Sequence, residues 1–183
     1  MDGLYYAYLL VPSTGYKTQV PAGWLSLLVN AGDGIDMDLF LTRQLRINRS
    51  KIRETSDTNT DFDDLDGAIR SGYFLKDGLG NNEDFYYLNL LVTVTAENVE
   101  DLEWKVAELK KLMLSQDMDV QTCSFCQEQA FLSSMPLVSL ERHLYERSKR
   151  NVLTTGAASC YPFTSYEMCD DSGIPVSYTH LTL

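Results

Sequence analysis

The run Phe85–Val94 (FYYLNLLVTV) narrows the choice of fold more than any other segment of the chain. It is dense in aromatic and β-branched residues and holds neither proline nor glycine, which marks a buried strand. Immediately after it the period changes from two to 3.6. Asn98 stands where a helix cap belongs, and Asp101 is placed to return a capping bond to the Asn98 backbone N–H. Val99, Leu102, Val106, Leu109 and Met113 then make one apolar stripe, with Glu100, Glu103, Lys105, Glu108 and Lys111 on the wet side. Trp104, beside the stripe, is expected to be partly buried. Val120–Phe125 reads as a second strand, and Gln127–Met135 as a short helix stopped by Pro136. Strand, helix, strand, helix in this order is half of a split βαβ layer. The expected fold class is therefore α+β, ferredoxin-like, with an antiparallel-rich sheet covered by helices.

The rest of the chain fills in around that unit. Leu4–Val11 is apolar but short, follows no basic segment and leads into Pro12-Ser13-Thr14-Gly15, so it predicts a strand rather than a signal peptide. Trp24–Asn30 is the next apolar run. Beyond Gly32-Asp33-Gly34, residues Ile35 to Phe40 alternate apolar and acidic, and Trp24 to Leu41 together read as a hairpin. Its wet face carries Asp36 and Asp38, a pair more in keeping with solvent than with acid–base chemistry. Arg43–Arg53 is a basic island without interleaved aromatics, which favours a solvated helix face over a nucleic-acid contact. A helix from about Asp63 to Lys76 follows, with Leu65, Ile69 and Tyr73 inward and Gly78 to Asn82 closing it. Past Pro136, Leu137, Leu140 and Leu144 outline another helix ending in Arg147, Lys149 and Arg150, where cations complement the helix dipole.

Charge and motifs exclude several kinds of chemistry. A net charge of −11 opposes a chain built to coat nucleic acid, and no apolar run approaches the ~20 residues of a membrane span. Asp57, Asn59, Asp61 and Asp63 imitate a calcium loop, but its sixth and twelfth positions hold Phe62 and Ala68 in place of glycine and glutamate. Gly15-Tyr16-Lys17-Thr18 lacks the glycines of a phosphate-binding loop. Neither His143 nor His180 has the spacing of a base or a ligand. No catalytic or cofactor-binding residue is assigned.

The four cysteines need separate weighing. Cys123 and Cys126 form a CxxC, and Cys160 and Cys169 are candidates to complete four thiolate ligands. Structural zinc brings a second close-spaced pair, whereas eight residues separate Cys160 from Cys169. Buried free thiols in a reducing, cytoplasmic setting are the expectation, with a zinc site and a redox CxxC opening a helix at Gln127 as alternatives.

Ala22–Leu41 (AGWLSLLVNAGDGIDMDLFL) and Ser56–Lys76 (SDTNTDFDDLDGAIRSGYFLK) resemble the N-terminal domain of TraC/TraE-like (VirB-type) conjugal-transfer ATPases, the motor proteins of type IV secretion. Gln127–Leu137 (QEQAFLSSMPL) and Glu146–Ile174 resemble the same family's passage into its RecA-like motor. The resemblance implies an α/β assembly domain over residues 1–150 and a linker and motor start over 151–174. PVSYTHLTL (175–183) reads as a foreign tail. It further implies contacts with other channel subunits at the inner face of the membrane, homo-oligomers of the full-length protein, and a cytoplasmic, peripheral location. ATP and magnesium belong to the downstream motor of that family. The core pattern by itself also allows an independent ferredoxin-like binding module.

Phosphoryl transfer needs a phosphate-cradling loop, its lysine and a magnesium-holding carboxylate. No such loop lies between Met1 and Leu183. Titration with a fluorescent ATP analogue and magnesium is expected to give no saturable binding. Binding that a point mutation within these residues abolishes would overturn that expectation.

Overall fold

The computed structural model describes residues 3–17, 20–29, 31–44 and 72–162. The chain order is β1 (Tyr5–Leu10), α1 (Ser26–Val29), β2 (Ile35–Arg43), α2 (72–80), β3 (Phe85–Ala96), α3 (Val99–Ser115), β4 (Gln121–Thr122), α4 (Gln127–Ser134), α5 (Arg142–Ser148), β5 (Arg150–Leu153) and α6 (Thr154–Ala158). The fold is mixed α+β, built on one antiparallel sheet of order β2-β3-β1-β4, with β5 added to β3.

β3 is the axis of this sheet. Of its twelve residues, those from Val94 (opposite Ile35) to Tyr86 (opposite Arg43) pair with β2. Its other edge is shared by two strands laid end to end: β1 opposite Leu91–Ala96 and β5 opposite Phe85–Leu88. The junction falls at Leu90. There the Val11 N–H donates to the Leu90 carbonyl at 3.3 Å, and the Leu90 N–H donates to the Tyr16 hydroxyl at 3.1 Å. A side chain thus takes over where the backbone ladder stops. The loop bearing Tyr16 is pinned on both sides. Ser13 N–H donates to Arg147 O at 2.9 Å, and Asp119 N–H donates to Gly15 O at 2.9 Å. A Cβ on Gly15 would stand 2.7 Å from Asp119 O, so the close approach needs glycine.

Strand alternation sends side chains to opposite faces, and each face has its own core. Leu88, Leu90, Val92 and Val94 of β3 join Leu9 and Val11 on one face. Leu102, Val106, Leu109 and Met113 of α3 cover them, together with Trp24, Leu25 and Leu28. Tyr8, Leu10 and Leu91 form the other face, packed against Cys123, Cys126, Ala130 of α4 and Leu144 of α5.

α3 forms where its period predicts and is closed at both ends. Asp101 N–H donates to Asn98 Oδ1 at 2.8 Å, and the Asp101 carboxylate accepts from the Asn98 side-chain amide at 2.6 Å rather than from the expected backbone N–H. At the C-terminus Asp117 adopts φ 57°. Its N–H reaches Leu114 O at 3.0 Å, and Met118 N–H reaches Met113 O at 3.1 Å, a Schellman closure that buries Met118 on Met113.

Several expectations are corrected. Trp24–Val29 is not a hairpin strand: Gly23 (φ 71°) turns the chain into α1, Leu25 just before that helix and Leu28 within it pack on the sheet, and β2 pairs with β3 instead. Trp104 is 64% exposed, because it lies off the buried stripe of α3. Only Gln121–Thr122 of the Val120–Phe125 run pairs as strand, and Phe125 is fully exposed. The helix after Pro136 begins at Arg142, leaving Leu137 in solvent. α2 passes Lys76 and runs through Gly78. A Cβ there would meet Leu153 Cδ1 at 2.2 Å, so any larger residue requires the Leu153 side chain to shift. The expected boundary after residue 150 falls inside β5, and the core continues to Cys160. The helix positions before 72, most of the basic island and Cys169 lie outside the described residues.

Tyr16→Phe deletes the oxygen that accepts the Leu90 N–H and leaves that donor buried. A loss of about 1–3 kcal/mol in urea unfolding is expected. An unchanged midpoint would show that the junction does not rely on this hydroxyl.

Candidate functional site

β4, the turn after it and α4 build the most chemically distinctive corner of the molecule. Cys123 N–H donates to Tyr8 O at 2.8 Å, extending the β1 ladder by one residue beyond β4. Cys126 N–H donates back to Cys123 O at 3.2 Å, closing a four-residue turn with Phe125 at φ 62°. A positive φ at the third position is a glycine's place in a type II turn, so phenylalanine sits there at a cost. Cys126 is the N-cap residue of α4, and its carbonyl accepts from Ala130 N–H at 3.0 Å. Gln127 Oε1 then accepts the Tyr8 N–H at 3.1 Å, tying the helix start to the sheet.

The sequence candidates for metal are divided by this architecture. Cys123 and Cys126 are buried together, and Arg147 Nη1 donates to Cys126 Sγ at 3.9 Å. Burial, with Cys126 as the next cause, pushes the Cys123 thiol up to about 12. Cys160 belongs to the core on the opposite face of the sheet, where its Sγ lies 3.4 Å from Gly156 O and burial raises its thiol. The sheet therefore separates Cys160 from the CxxC. Among the described residues no three His, Cys, Asp or Glu side chains come together as a metal site.

The basic cluster ending α5 is committed within the fold. Arg147 reaches Cys126, Lys149 pairs with Glu146 at 2.5 Å and lies 5.6 Å over the Tyr87 ring, and Arg150 Nη1 donates to Ser13 O at 3.4 Å. Arg43, the first cation of the basic island, is paired with Asp84 at 2.7 Å. His143 is exposed on α5, its backbone N–H held by Glu141 Oε2 at 2.7 Å. Lys105 was assigned to the wet side by its period. It instead reaches over the end of β3 and donates to Asp33 O and Thr95 O, both at 2.9 Å, on the rim of a cavity of about 300 Å³. One carbonyl on the turn before β2 and one at the end of β3 left no trace in the spacing of the helix.

The acidic face of β2 is more varied than its alternation implies. Asp36 is exposed, while Asp38 is half-buried beside Phe40. Burial raises the Asp38 carboxyl, and Asp36 raises it further. Tyr8, across the sheet, is raised chiefly by burial. It stacks on Tyr6 with centroids 6.5 Å apart and meets Phe131 of α4 edge-on at 6.4 Å.

α4 itself is inverted. Ala130 and Ser133 are its buried residues, whereas Phe131, Leu132 and the following Met135 face outward. Glu128, Phe131, Leu132 and Met135 fall on one helical stripe, and Leu137 and Val138 (89% exposed), which follow the helix in sequence, are exposed as well. The sequence pattern placed a helix here without showing which side met the sheet, because small residues carry little hydrophobic signal.

A carboxyl raised in the folded state favours its protonated form there. Its effect on stability is most favourable below the unfolded carboxylate pKa and is lost as pH rises through the higher folded value. Asp38→Asn removes the charge, so its melting temperature is expected to exceed that of wild type at pH 7. The gain should shrink as pH falls through the carboxylate range. A variant less stable at neutral pH would contradict this reading of Asp38.

Compared with known proteins, the chain matches no protein-family model and no curated protein sequence.

Proposed function

We propose that this chain is the N-terminal assembly domain of a type IV secretion conjugation ATPase, and that the outer face of α4 is its contact with another subunit. The observation that carries the second half is the inverted helix: small residues on the sheet, and Phe131, Leu132 and Met135 toward solvent. Contiguous exposed apolar surface of this kind marks interaction sites. Phe125, just before the helix, and Leu137 and Val138, just after it, are exposed apolar residues too. The family reading rests on the sequence strings, one of which, Gln127–Leu137, is this same surface.

The fold reading is compatible with that role. The order β4-β1-β3-β2, every neighbour antiparallel, inserts β3 between β1 and β2 and β1 between β3 and β4. That is the arrangement expected of two split βαβ units, and it supports the ferredoxin-like assignment. The first crossover contains α1, only four residues long, in place of a long helix. No helix among the described residues is long and apolar enough to cross a membrane. The domain would meet other channel subunits from the cytoplasmic side of the membrane and would pair with copies of itself in the full-length protein. ATP and magnesium would serve the motor of that protein.

Leu132→Glu puts a charge in the middle of the outer stripe without touching the sheet. Its melting temperature is expected to stay at the wild-type value, while sedimentation shows loss of self-association and co-purification with channel subunits fails. Wild-type protein that stays monomeric at high concentration and captures no channel subunit would sink the proposal.

A further inference from the structure

We propose that Cys123 and Cys126 are a redox-active dithiol, a modification site that closes to an internal disulfide by exchange with a small-molecule disulfide of the glutathione class. The inference does not depend on the assembly reading. It stands on three features of the corner formed by β4 and α4.

The first is distance. The hydrogen bond from Cys126 N–H to Cys123 O makes residues 123–126 a turn whose end Cα atoms lie within about 7 Å. A disulfide spans Cα separations of about 4.4–6.8 Å, so closure requires little backbone movement. The two side chains already share one buried cluster and interact directly. The second is the strained turn itself. Phe125 holds φ 62° with its ring fully in solvent, so the ring contributes no packing that would explain the strain. What the conformation achieves is to bring the two thiols together. The third is Arg147. Its guanidinium donates to Sγ of Cys126, the less deeply buried of the two residues, and is placed to steady charge on that sulfur during exchange.

The chemistry balances in two steps. The Cys126 thiolate attacks one sulfur of the small disulfide, forming a mixed disulfide and releasing one thiolate. The Cys123 thiol loses its proton, and its sulfur attacks Cys126 Sγ, forming the internal bond and expelling the second small thiolate. Two electrons pass from the protein pair to the oxidant, and the two protons end on the released thiols. Cys160, buried on the far face with no described thiol beside it, has no such partner.

The test equilibrates the full chain in mixtures of reduced and oxidised glutathione, traps free thiols by alkylation after acid quench and unfolding, and maps the peptides. The expected result is a peptide carrying Cys123 and Cys126 that loses two hydrogens in oxidising mixtures and regains them in reducing ones. Early quenching should find the transient glutathione adduct on Cys126. Cys126→Ser should leave Cys123 reduced. The wild-type map decides the matter even if that variant fails to fold. Both thiols remaining alkylatable in the most oxidising mixture would overturn the proposal. So would a persistent adduct without ring closure, or a bond from either thiol to Cys160 or Cys169.

Discussion

The hydrogen bond from Leu90 N–H to the Tyr16 hydroxyl closes the one place where the sheet would otherwise open. β3 is twelve residues long, and neither β1 nor β5 alone can cover its second edge. Two short strands from opposite ends of the described chain do so in tandem. Where they meet, the backbone leaves a donor and an acceptor that are deeply buried and cannot turn to water. Tyr16 satisfies the donor and fills the space beside it. Burial drives its own phenol well above the usual tyrosine range, so it remains a neutral hydroxyl. The last residue of the predicted strand, Val11, and the turn-rich stretch 12–17 that follows it are thus the keystone between the N-terminal strand and β5.

With that edge sealed, alternation along β3 decides everything on either side. The even positions from Leu88 to Val94 supply the larger core under α3, and the odd positions carry Asn89, Leu91 and Thr93 into a second, more polar layer. Asn89 is buried there and donates to Tyr145 O at 2.9 Å and Ser148 Oγ at 2.8 Å, which fixes α5 on the sheet by direction as well as by contact. The same parity divides the cysteines. Thiols that a linear reading gathers into one ligand set lie on opposite sides of a hydrogen-bonded sheet.

What was legible in the sequence follows the strength of local periodicity. β3 and α3 declared themselves because each carries a long run of a single period, and the Asn98 cap because its bond spans three residues. The segment Trp24–Val29 was misread because a single helical turn and a short buried strand have the same apolar content. β5 was hidden in a basic and polar stretch, since Arg150 to Leu153 form a strand through pairing with Phe85–Leu88 rather than through propensity. Trp104 was misplaced by adjacency: one position beside a stripe on a helix is roughly 100° of rotation, enough to carry an indole into solvent. Of the site, the CxxC and its helix were readable. Arg147 was not, because it arrives from another helix.

α4 shows how such long-range choices accumulate at one place. Non-glycine residues in left-handed conformation flank this eight-residue helix, Phe125 at φ 62° two residues before it and Val138 at φ 52° four residues after it, the second with a β-branched side chain. Each costs on the order of 1–3 kcal/mol, and persists only where surrounding bonds over-determine it. Those bonds are present. Cys126 N–H closes the first turn. Beyond the helix, Ser133 Oγ accepts Glu141 N–H at 3.0 Å while donating to Gln129 O at 2.7 Å. The small inner residues Ala130 and Ser133 are the part of the helix buried on the sheet, Phe131 meets Tyr8 edge-on from the flank, and Leu132 and Met135 are left in solvent. A surface flanked on both sides by such turns and hydrogen bonds is already ordered, so under the proposed assembly role less conformational entropy would remain to be lost on covering it.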